Sequence, residues 1–249
     1  MMTDDMVMDV SQDWLQACLV QERFMQGPAR GHCLTDYGAS CRQMRALGGD
    51  CYDFSCQADG KLAMLVGDAS GKGVAAALMM ANVQASLRTA ALFTGDNLAA
   101  LLRVVNAQAC ASSLADRYAT LFYAVLDRAA STLRYVNAGH NPPVILRRDG
   151  SIDWLEPSGA PVGLFLDATW REEVIHLQPG DLVLAYTDGV SEAFSPSGEE
   201  WGIDGLLRAA NGRRTGSADE LVQSILDSMD DFSGGVQTDD ATVAVLRVL

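Results

Sequence analysis

The chain of 249 residues has few basic residues and no long apolar run. It carries 18 Lys and Arg against 32 Asp and Glu, a net charge of −14, which argues against nucleic acid and anionic membranes as partners because both attract basic patches. No apolar stretch approaches the roughly 18 residues that span a bilayer. The N-terminal stretch also lacks the basic start and apolar centre of a signal peptide. We therefore expect a cytoplasmic protein that binds neither nucleic acid nor membrane.

Histidine and cysteine are too sparse and too scattered for a zinc site. None of the six cysteines forms a C-x-x-C pair, and the three histidines do not pair with them at ligand spacing. Without a secretion signal, the cysteines are expected to be reduced thiols. Apolar residues nevertheless make up 49% of the chain, which is enough for a sizeable folded core.

The most informative stretch is residues 62–82, LAMLVGDASGKGVAAALMMAN. Its apolar start predicts a buried strand, Asp68 follows at the end of that strand, and strong helix formers begin at Val74. A phosphate-binding P-loop is excluded, because the glycine spacing is one residue short and Gly73 stands where the motif needs Ser or Thr. Two interpretations remain: a turn whose glycines only relieve crowding, or a ligand site built on Asp68.

The N-terminal segment predicts one amphipathic helix over residues 4–26, ended by Gly27-Pro28. Its apolar spacing is close to a heptad repeat but covers only about three heptads. A helix packed on the domain and a dimerising or signal-relaying linker helix are both compatible with this pattern. We expect a linker or regulatory helix over residues 1–28 and a single folded domain over residues 29–249.

Strands and helices occur in blocks, which predicts an α+β domain with antiparallel sheets and helix pairs outside them. Asp59-Gly60 is a hairpin signal, and pairing through it places Asp50 and Asp68 at the same end of a sheet. Two helices are expected over residues 74–93 and 97–114, the second capped by Asp96. A capping box at Ser217 predicts a further helix.

Four apolar strands carry an aspartate at one end: Asp50, Asp68, Asp188 and Asp239. One such residue is uninformative because turns favour Asp. If the four converge, they need cations or protons, since two like charges about 4 Å apart repel by roughly 4 kcal/mol at an effective dielectric near 20. Oxygen ligands alone favour Mg²⁺ or Mn²⁺. Two such ions about 3.5–4 Å apart are a known device for hydrolysing phosphate esters.

Six ordered motifs then match a family. They are GGDCYDF (48–54), GDASGKGVAAALMMA (67–81), YATLFYAVLD (118–127), YVNAGHNPPVIL (135–146), AYTDGVSEAF (185–194) and DDATVAVLRV (239–248). Together they resemble the PPM-type (protein phosphatase 2C-like) metal-dependent serine/threonine phosphatases, in their bacterial sporulation and stress-response (SpoIIE/RsbU-like) branch. The resemblance covers about residues 30–249.

The resemblance implies a four-layer αββα sandwich, in which two antiparallel sheets are flanked by antiparallel helix pairs. It also implies two Mn²⁺ or Mg²⁺ ions and a bridging water as the nucleophile, so that Asp68 and Asp188 act catalytically through that water. The implied metal ligands are Asp50, Asp68, the backbone carbonyl of Ala69, Asp188 and Asp239. Asp53 and Asp240 are expected to contact and position these ligands without binding the metal ions themselves.

Departures from the family pattern leave two roles open. Ser70 stands where eukaryotic relatives place a candidate acid histidine, and Ala46 stands where they place a phosphate-binding arginine. Lys72 is a candidate for phosphate binding, with a solvated turn lysine as the alternative. His140 is expected to stabilise its loop rather than to take part in catalysis.

The resemblance further implies a phosphoserine or phosphothreonine substrate on an anti-sigma factor antagonist, within a partner-switching stress response. An upstream sensor or regulator and a homodimer through the N-terminal helix are the other implied partners. One alternative is a pseudophosphatase that only binds a phosphoprotein. A magnesium-dependent nucleotide enzyme is a more distant alternative, disfavoured by the missing P-loop.

Overall fold

The structure is a computed structural model, and it describes residues 4–25, 35–57, 59–113 and 116–249. The expected helix end at Gly27-Pro28 and the boundary between residues 28 and 29 lie outside these ranges. None of the described helices is both long enough and apolar enough to span a bilayer.

The described residues form ten strands and six helices. The strands are β1 Asp36–Arg42, β2 Cys51–Cys56, β3 Leu62–Ala69, β4 Ala119–Asp127, β5 Thr132–Ala138, β6 Val144–Leu146, β7 Ile152–Trp154, β8 Glu173–His176, β9 Leu182–Tyr186 and β10 Ala241–Arg247. The helices are α1 Asp4–Phe24, α2 Val74–Ala91, α3 Leu98–Ser112, α4 Asp188–Ser191, α5 Gly202–Gly212 and α6 Ala218–Ser233.

The strands form two five-stranded antiparallel sheets, in the orders β1-β10-β9-β6-β7 and β2-β3-β4-β5-β8. The alternating directions of the side chains along β3 show why the two sheets pack face to face. Leu62, Met64 and Val66 enter the core between the sheets, whereas Ala63 and Leu65 enter the core beneath α2 and α3. A third core packs α5 and α6 on the other sheet. The predicted αββα sandwich of two antiparallel sheets is confirmed.

Of the two helix caps predicted from the sequence, one is confirmed and one is corrected. Ser217 forms the predicted capping box with Glu220 at the start of α6. The cap of α3 is Asn97, whose side chain accepts a hydrogen bond from Ala100 N, so the prediction that Asp96 caps this helix is wrong. Asp96 instead pairs with Lys61 at 3.0 Å, because the α2–α3 turn lies beside the β2–β3 hairpin.

The cysteines also require a correction. Cys18, Cys41, Cys51 and Cys110 are free thiols, as expected. Cys56, at the end of β2, is disulfide-bonded, so the prediction that all the cysteines are reduced is wrong.

Candidate active site

Strand register brings four of the predicted aspartates to one rim of the sandwich. In one sheet Cys51 pairs with Gly67, which places the adjacent Asp50 and Asp68 at the same end of β2 and β3. In the other sheet β9 and β10 run antiparallel, and Thr187 N donates to Thr242 O at 3.1 Å just beyond the paired residues. Asp188 and Asp239 therefore flank the corresponding end of the second sheet.

Asp50 connects the two sheets at this rim. Its side chain is 1% exposed, and its Oδ2 accepts hydrogen bonds from the hydroxyls of Thr187 and Thr242, both at 2.7 Å. Burial raises the pKa of Asp50 well above its ordinary value, and the negative charge of Asp68 raises it further. The two threonine hydroxyls oppose this shift because they donate to the charged form.

Asp68, Asp188 and Asp239 are half-buried and interact with one another. Burial, followed by the charges of Asp188 and Asp239, raises the pKa of Asp68 to about 7. Burial and the charge of Asp239 also raise the pKa of Asp188. Asp68 and Asp188 therefore lie close enough to other carboxylates for the neighbouring negative charges to add to the effect of burial on their pKa values, as expected in a cation-binding cluster.

Asp239 and Asp240 make different contacts. Asp239 Oδ2 lies 2.7 Å from Lys72 Nζ, an exposed ion pair across the rim. Asp240 is buried, and its two oxygens accept hydrogen bonds from Met44 N at 2.7 Å and Gly49 N at 2.9 Å. Asp240 thus fixes the loop that leads into Asp50, in line with its expected supporting role.

Two glycines allow the close approach of backbone segments at the rim. A Cβ at position 49 would lie 2.7 Å from the Ala69 carbonyl oxygen and 3.2 Å from Asp68 Oδ1. A Cβ at position 189 would lie 2.0 Å from the Asp240 carbonyl oxygen. A side chain at position 49 would thus crowd the Ala69 carbonyl, one of the predicted ligands.

The donor set fits a hard divalent cation, although the side chains are not arranged as a complete site. All the predicted donors are carboxylate or carbonyl oxygens, which suit Mg²⁺ or Mn²⁺. Within the described ranges, no group of three or more His, Cys, Asp or Glu side chains has metal-holding geometry. Asp50 instead accepts hydrogen bonds from Thr187 and Thr242, and Asp239 pairs with Lys72. The metal-ligand assignments stay predictions.

Two other residues singled out from the sequence have structural contacts: Asp53 lies away from the rim, and His140 contacts its own loop and β4. Asp53 does not reach the rim, because it faces α2 and accepts hydrogen bonds from Arg88 Nε and Nη2 at 2.6 and 2.8 Å. His140 is buried: its backbone N–H donates to Asn137 Oδ1 at 2.8 Å, and its Nδ1 lies 2.9 Å from Thr120 Oγ1. Burial lowers the pKa of His140 to about 4, so the ring is neutral, in line with a loop-stabilising role.

Sequence reasoning missed two arginines that flank the glycine turn after Asp68. Arg117 Nη1 donates to Ser70 O at 2.7 Å, beside Gly71. Arg45 is exposed and its Nη1 would lie 3.9 Å from a Cβ at position 73. With Lys72 they form a group that we call the basic collar: Arg45, Lys72 and Arg117. Arg45 precedes Ala46, the position where the family arginine was expected, so a search of neighbouring positions would have found it.

The sequence comparisons agree with this geometry. The profile of the family described as Stage II sporulation protein E (SpoIIE) matches residues 58–249. Protein IcfG of Synechocystis sp. is 30% identical over 82% of this chain, and the phosphoserine phosphatase RsbU of Bacillus subtilis is 29% identical over 85% of it. The matches span 36% of IcfG and 63% of RsbU, so the chain corresponds to only part of these curated relatives.

The solved structures show the same fold. The SiaA-PP2C domain of Pseudomonas aeruginosa superposes with a TM-score of 0.82 at 22% identity, covering 97% of this chain and 98% of that domain. The catalytic domain of the serine/threonine phosphatase PstP, solved in complex with two manganese ions, superposes with a TM-score of 0.66 at 18% identity, covering 86% and 98%. Together with the family profile, the six sequence motifs and the rim of aspartates, these matches show that the chain belongs to the SpoIIE family of PPM-type protein phosphatases.

Proposed function

We propose that the chain is a protein serine/threonine phosphatase that depends on Mn²⁺ or Mg²⁺. The observation that carries the proposal is the convergence of Asp50, Asp68, Asp188 and Asp239 at one rim, where Asp68 has a pKa of about 7 because of burial and its acidic neighbours. A cluster of this kind needs divalent cations to be fully ionised.

The residues that would hold two ions are Asp50, Asp68, the Ala69 carbonyl, Asp188 and Asp239. When bound, the ions would activate a shared water for in-line attack and offset the charge of the phosphoryl group. PstP, which has the same fold, was solved with two manganese ions, and RsbX with magnesium, which supports this assignment. Asp68 and Asp188 are then the catalytic carboxylates.

Other residues around this rim orient the proposed metal ligands or attract the phosphate of the substrate. Thr187 and Thr242 hold the Asp50 carboxylate, and Asp240 fixes the loop before it. The basic collar supplies the positive charge that a phosphate dianion needs next to so many carboxylates. Arg45 suits this role, because its exposed guanidinium forms no ion pair with an acidic side chain in the part of the chain that the structure describes, and it can bind phosphate in a bidentate manner.

The proposed substrate is phosphoserine or phosphothreonine on a regulatory protein of the anti-sigma factor antagonist type. The relative RsbU is named a phosphoserine phosphatase, and its similarity supports this substrate class. Such a substrate is intracellular, so we place the enzyme in the cytoplasm. Cys56, being disulfide-bonded, is the one described feature at odds with that location.

We further propose that residues 1–28 are a regulatory linker and residues 29–249 the phosphatase domain. The outward side of α1 exposes Leu15, Leu19 and Val20, each at least 50% exposed, which favours a homodimer or an upstream regulator on this helix. Light scattering of the purified chain tests the dimer, and a monomeric mass at all concentrations would contradict it.

The decisive experiment measures hydrolysis of p-nitrophenyl phosphate with excess Mn²⁺. Asp188→Asn removes one charged ligand and is expected to reduce turnover by about 10³-fold or more, because a carboxylate that holds the ion is lost. The matched control is Asp204→Asn, an exposed aspartate on α5, which should keep wild-type turnover. Wild-type turnover by Asp188→Asn refutes the proposal. If the wild-type chain shows no metal-stimulated turnover on any phosphoester, the pseudophosphatase alternative is favoured.

A further inference from the structure

Five large apolar side chains are exposed beside the carboxylate rim. Two lie on the first turns of α2 and three on the loop that follows Gly163, and we call this set the apolar ridge. Its members are Val74 (40% exposed), Leu78 (67%), Leu164 (38%), Phe165 (56%) and Leu166 (72%). Exposed apolar residues that lie together on a surface commonly mark a binding surface.

Both parts of the ridge adjoin the same edge as Asp68. Val74 is the first residue of α2, directly after the glycine turn. The loop is attached through β4, because Ser70 N donates to Tyr118 O at 2.8 Å and Ala119 N donates to Val162 O at 2.8 Å. A Cβ at position 163 would lie 3.4 Å from Met79 Cε of α2, so loop and helix are direct neighbours.

A buried asparagine of α3 holds the loop half of the ridge in place. Asn106 is 1% exposed, and its Nδ2 donates to Phe165 O at 2.9 Å and to Leu166 O at 3.2 Å. Its Oδ1 accepts a hydrogen bond from Gly163 N at 2.8 Å. A partner that binds these side chains therefore does not need to order the loop, which lowers the entropic cost of association.

The position of the ridge identifies its occupant. A protein that presents a phosphorylated residue to Asp68 must place the surface around that residue over the start of α2. The basic collar lies between the ridge and the carboxylates and attracts the phosphate, whereas the ridge itself carries no charge in a chain of net charge −14. These features suit a folded phosphoprotein with an apolar surface next to its phosphoserine.

We infer that the apolar ridge is the docking surface for the phosphorylated substrate protein. The inference rests on the proposed function and deepens it. It assigns the recognition of a protein substrate to Val74, Leu78 and residues 164–166, apart from the carboxylates that act on any phosphate ester. Small phosphate esters therefore do not use the ridge.

The test compares two substrates across two variants of the ridge and one control variant. We expect Leu78→Asp and Val74→Ser to lower kcat/KM about tenfold for a phosphorylated anti-sigma factor antagonist, as loss of a central apolar contact does at other interfaces. Their kcat/KM for p-nitrophenyl phosphate should stay within about twofold of wild type. Val74→Ser removes the apolar side chain without adding a charge beside the basic collar, and serine is readily accommodated at the start of a helix.

The control is Leu92→Asp, which changes a leucine that is also exposed (78%, against 67% for Leu78) at the other end of α2. It should leave kcat/KM for both substrates unchanged. Equal losses on both substrates, or a phosphoprotein kcat/KM within about twofold of wild type, overturn the docking surface. If the wild-type chain hydrolyses neither substrate, the proposed function fails, and binding of the phosphoprotein decides the inference: weaker binding to Leu78→Asp supports it, and unchanged binding overturns it.

Discussion

Two buried aspartates lie near opposite ends of strand β9: Asp181 just before the start of the strand, and Asp50 at the rim beyond its end. Asp181 and Asp50 are each 1% exposed, yet their surroundings are opposite. Asp181 accepts hydrogen bonds from Arg147 Nη1 at 2.7 Å, Gln178 N at 2.9 Å and Arg148 N at 3.1 Å. Asp50 accepts hydrogen bonds from the neutral hydroxyls of Thr187 and Thr242 and lies beside another acid, Asp68.

The difference distinguishes a buried carboxylate that stabilises the fold, Asp181, from one that serves the proposed function, Asp50. A buried carboxylate with an arginine and two backbone donors is compensated and contributes to folding. A buried carboxylate next to others is held at a cost in stability, which is common where a protein binds cations or carries out catalysis. The two ends of the sandwich therefore have different roles, and substitutions at the two ends should fail in different ways.

The largest effect is expected from Asp50→Asn. Hydrolysis of p-nitrophenyl phosphate with Mn²⁺ should fall by about 10³-fold, because a proposed ligand loses its charge. The free energy of unfolding, measured by urea denaturation in the presence of a chelator, should stay the same or rise by about 1 kcal/mol. The reason is that the amide oxygen can still accept from Thr187 and Thr242, while the repulsion with Asp68 disappears.

A loss of more than about 2 kcal/mol in unfolding free energy, with activity per folded molecule preserved, would contradict this contrast. It would mean that Asp50 stabilises the fold in the same way as Asp181. The urea midpoint and the initial rate must therefore be measured on the same preparation.

The rim could be predicted from sequence for a definite physical reason. The Asp59-Gly60 turn fixes the register of β2 and β3, and register alone puts Asp50 and Asp68 at one end. Long apolar strands and the capping box at Ser217 are likewise local signals. The layered α+β sandwich follows from such signals because each one agrees with the overall architecture.

The remaining features depend on contacts between distant segments, which local patterns do not encode. Strand alternation places Asp53 on the opposite side of β2 from Asp50, because residues three apart on a strand face opposite sides, but its partner Arg88 lies 35 residues away and could not be read from that pattern. The basic collar is similar, since long side chains from residues 45, 72 and 117 meet only in the folded chain.

A smaller effect, on stability alone, is expected from Asp181→Asn at the opposite end. The free energy of unfolding should fall by about 3 kcal/mol, because Arg147 loses its buried partner and an amide N–H₂ is placed among backbone donors. The matched control is Asp153→Asn, the more exposed partner of the same arginine, which should cost about 1 kcal/mol or less. Urea denaturation measures both, and a reduced Mn²⁺-dependent rate per folded molecule would show that the two ends are coupled.

The smallest effect should come from Gln21, through which α1 contacts the loop before Asp50. Its Nε2 donates to Gly48 O at 2.8 Å, and its Oε1 accepts from Gly48 N at 3.3 Å. Asp240 holds the next residue of that loop through Gly49 N. Since groups behind a ligand tune its position, Gln21→Ala should raise the Mn²⁺ concentration for half-maximal activity by roughly tenfold with little change in maximal rate.

Calorimetric titration with Mn²⁺ checks this shift without relying on turnover, and Gln16→Ala, an exposed glutamine on the same helix, is the control. Superimposable Mn²⁺ isotherms for Gln21→Ala and wild type would mean that α1 packs on the domain without positioning the rim. A shifted isotherm would mean that α1 helps to position the rim, which is a second difference between the rim and the Asp181 end of the sandwich. The geometry of the rim would then depend on a helix that a partner could displace, whereas among the described residues the Asp181 carboxylate accepts hydrogen bonds from Arg147, Arg148 and Gln178, none of which lies on α1.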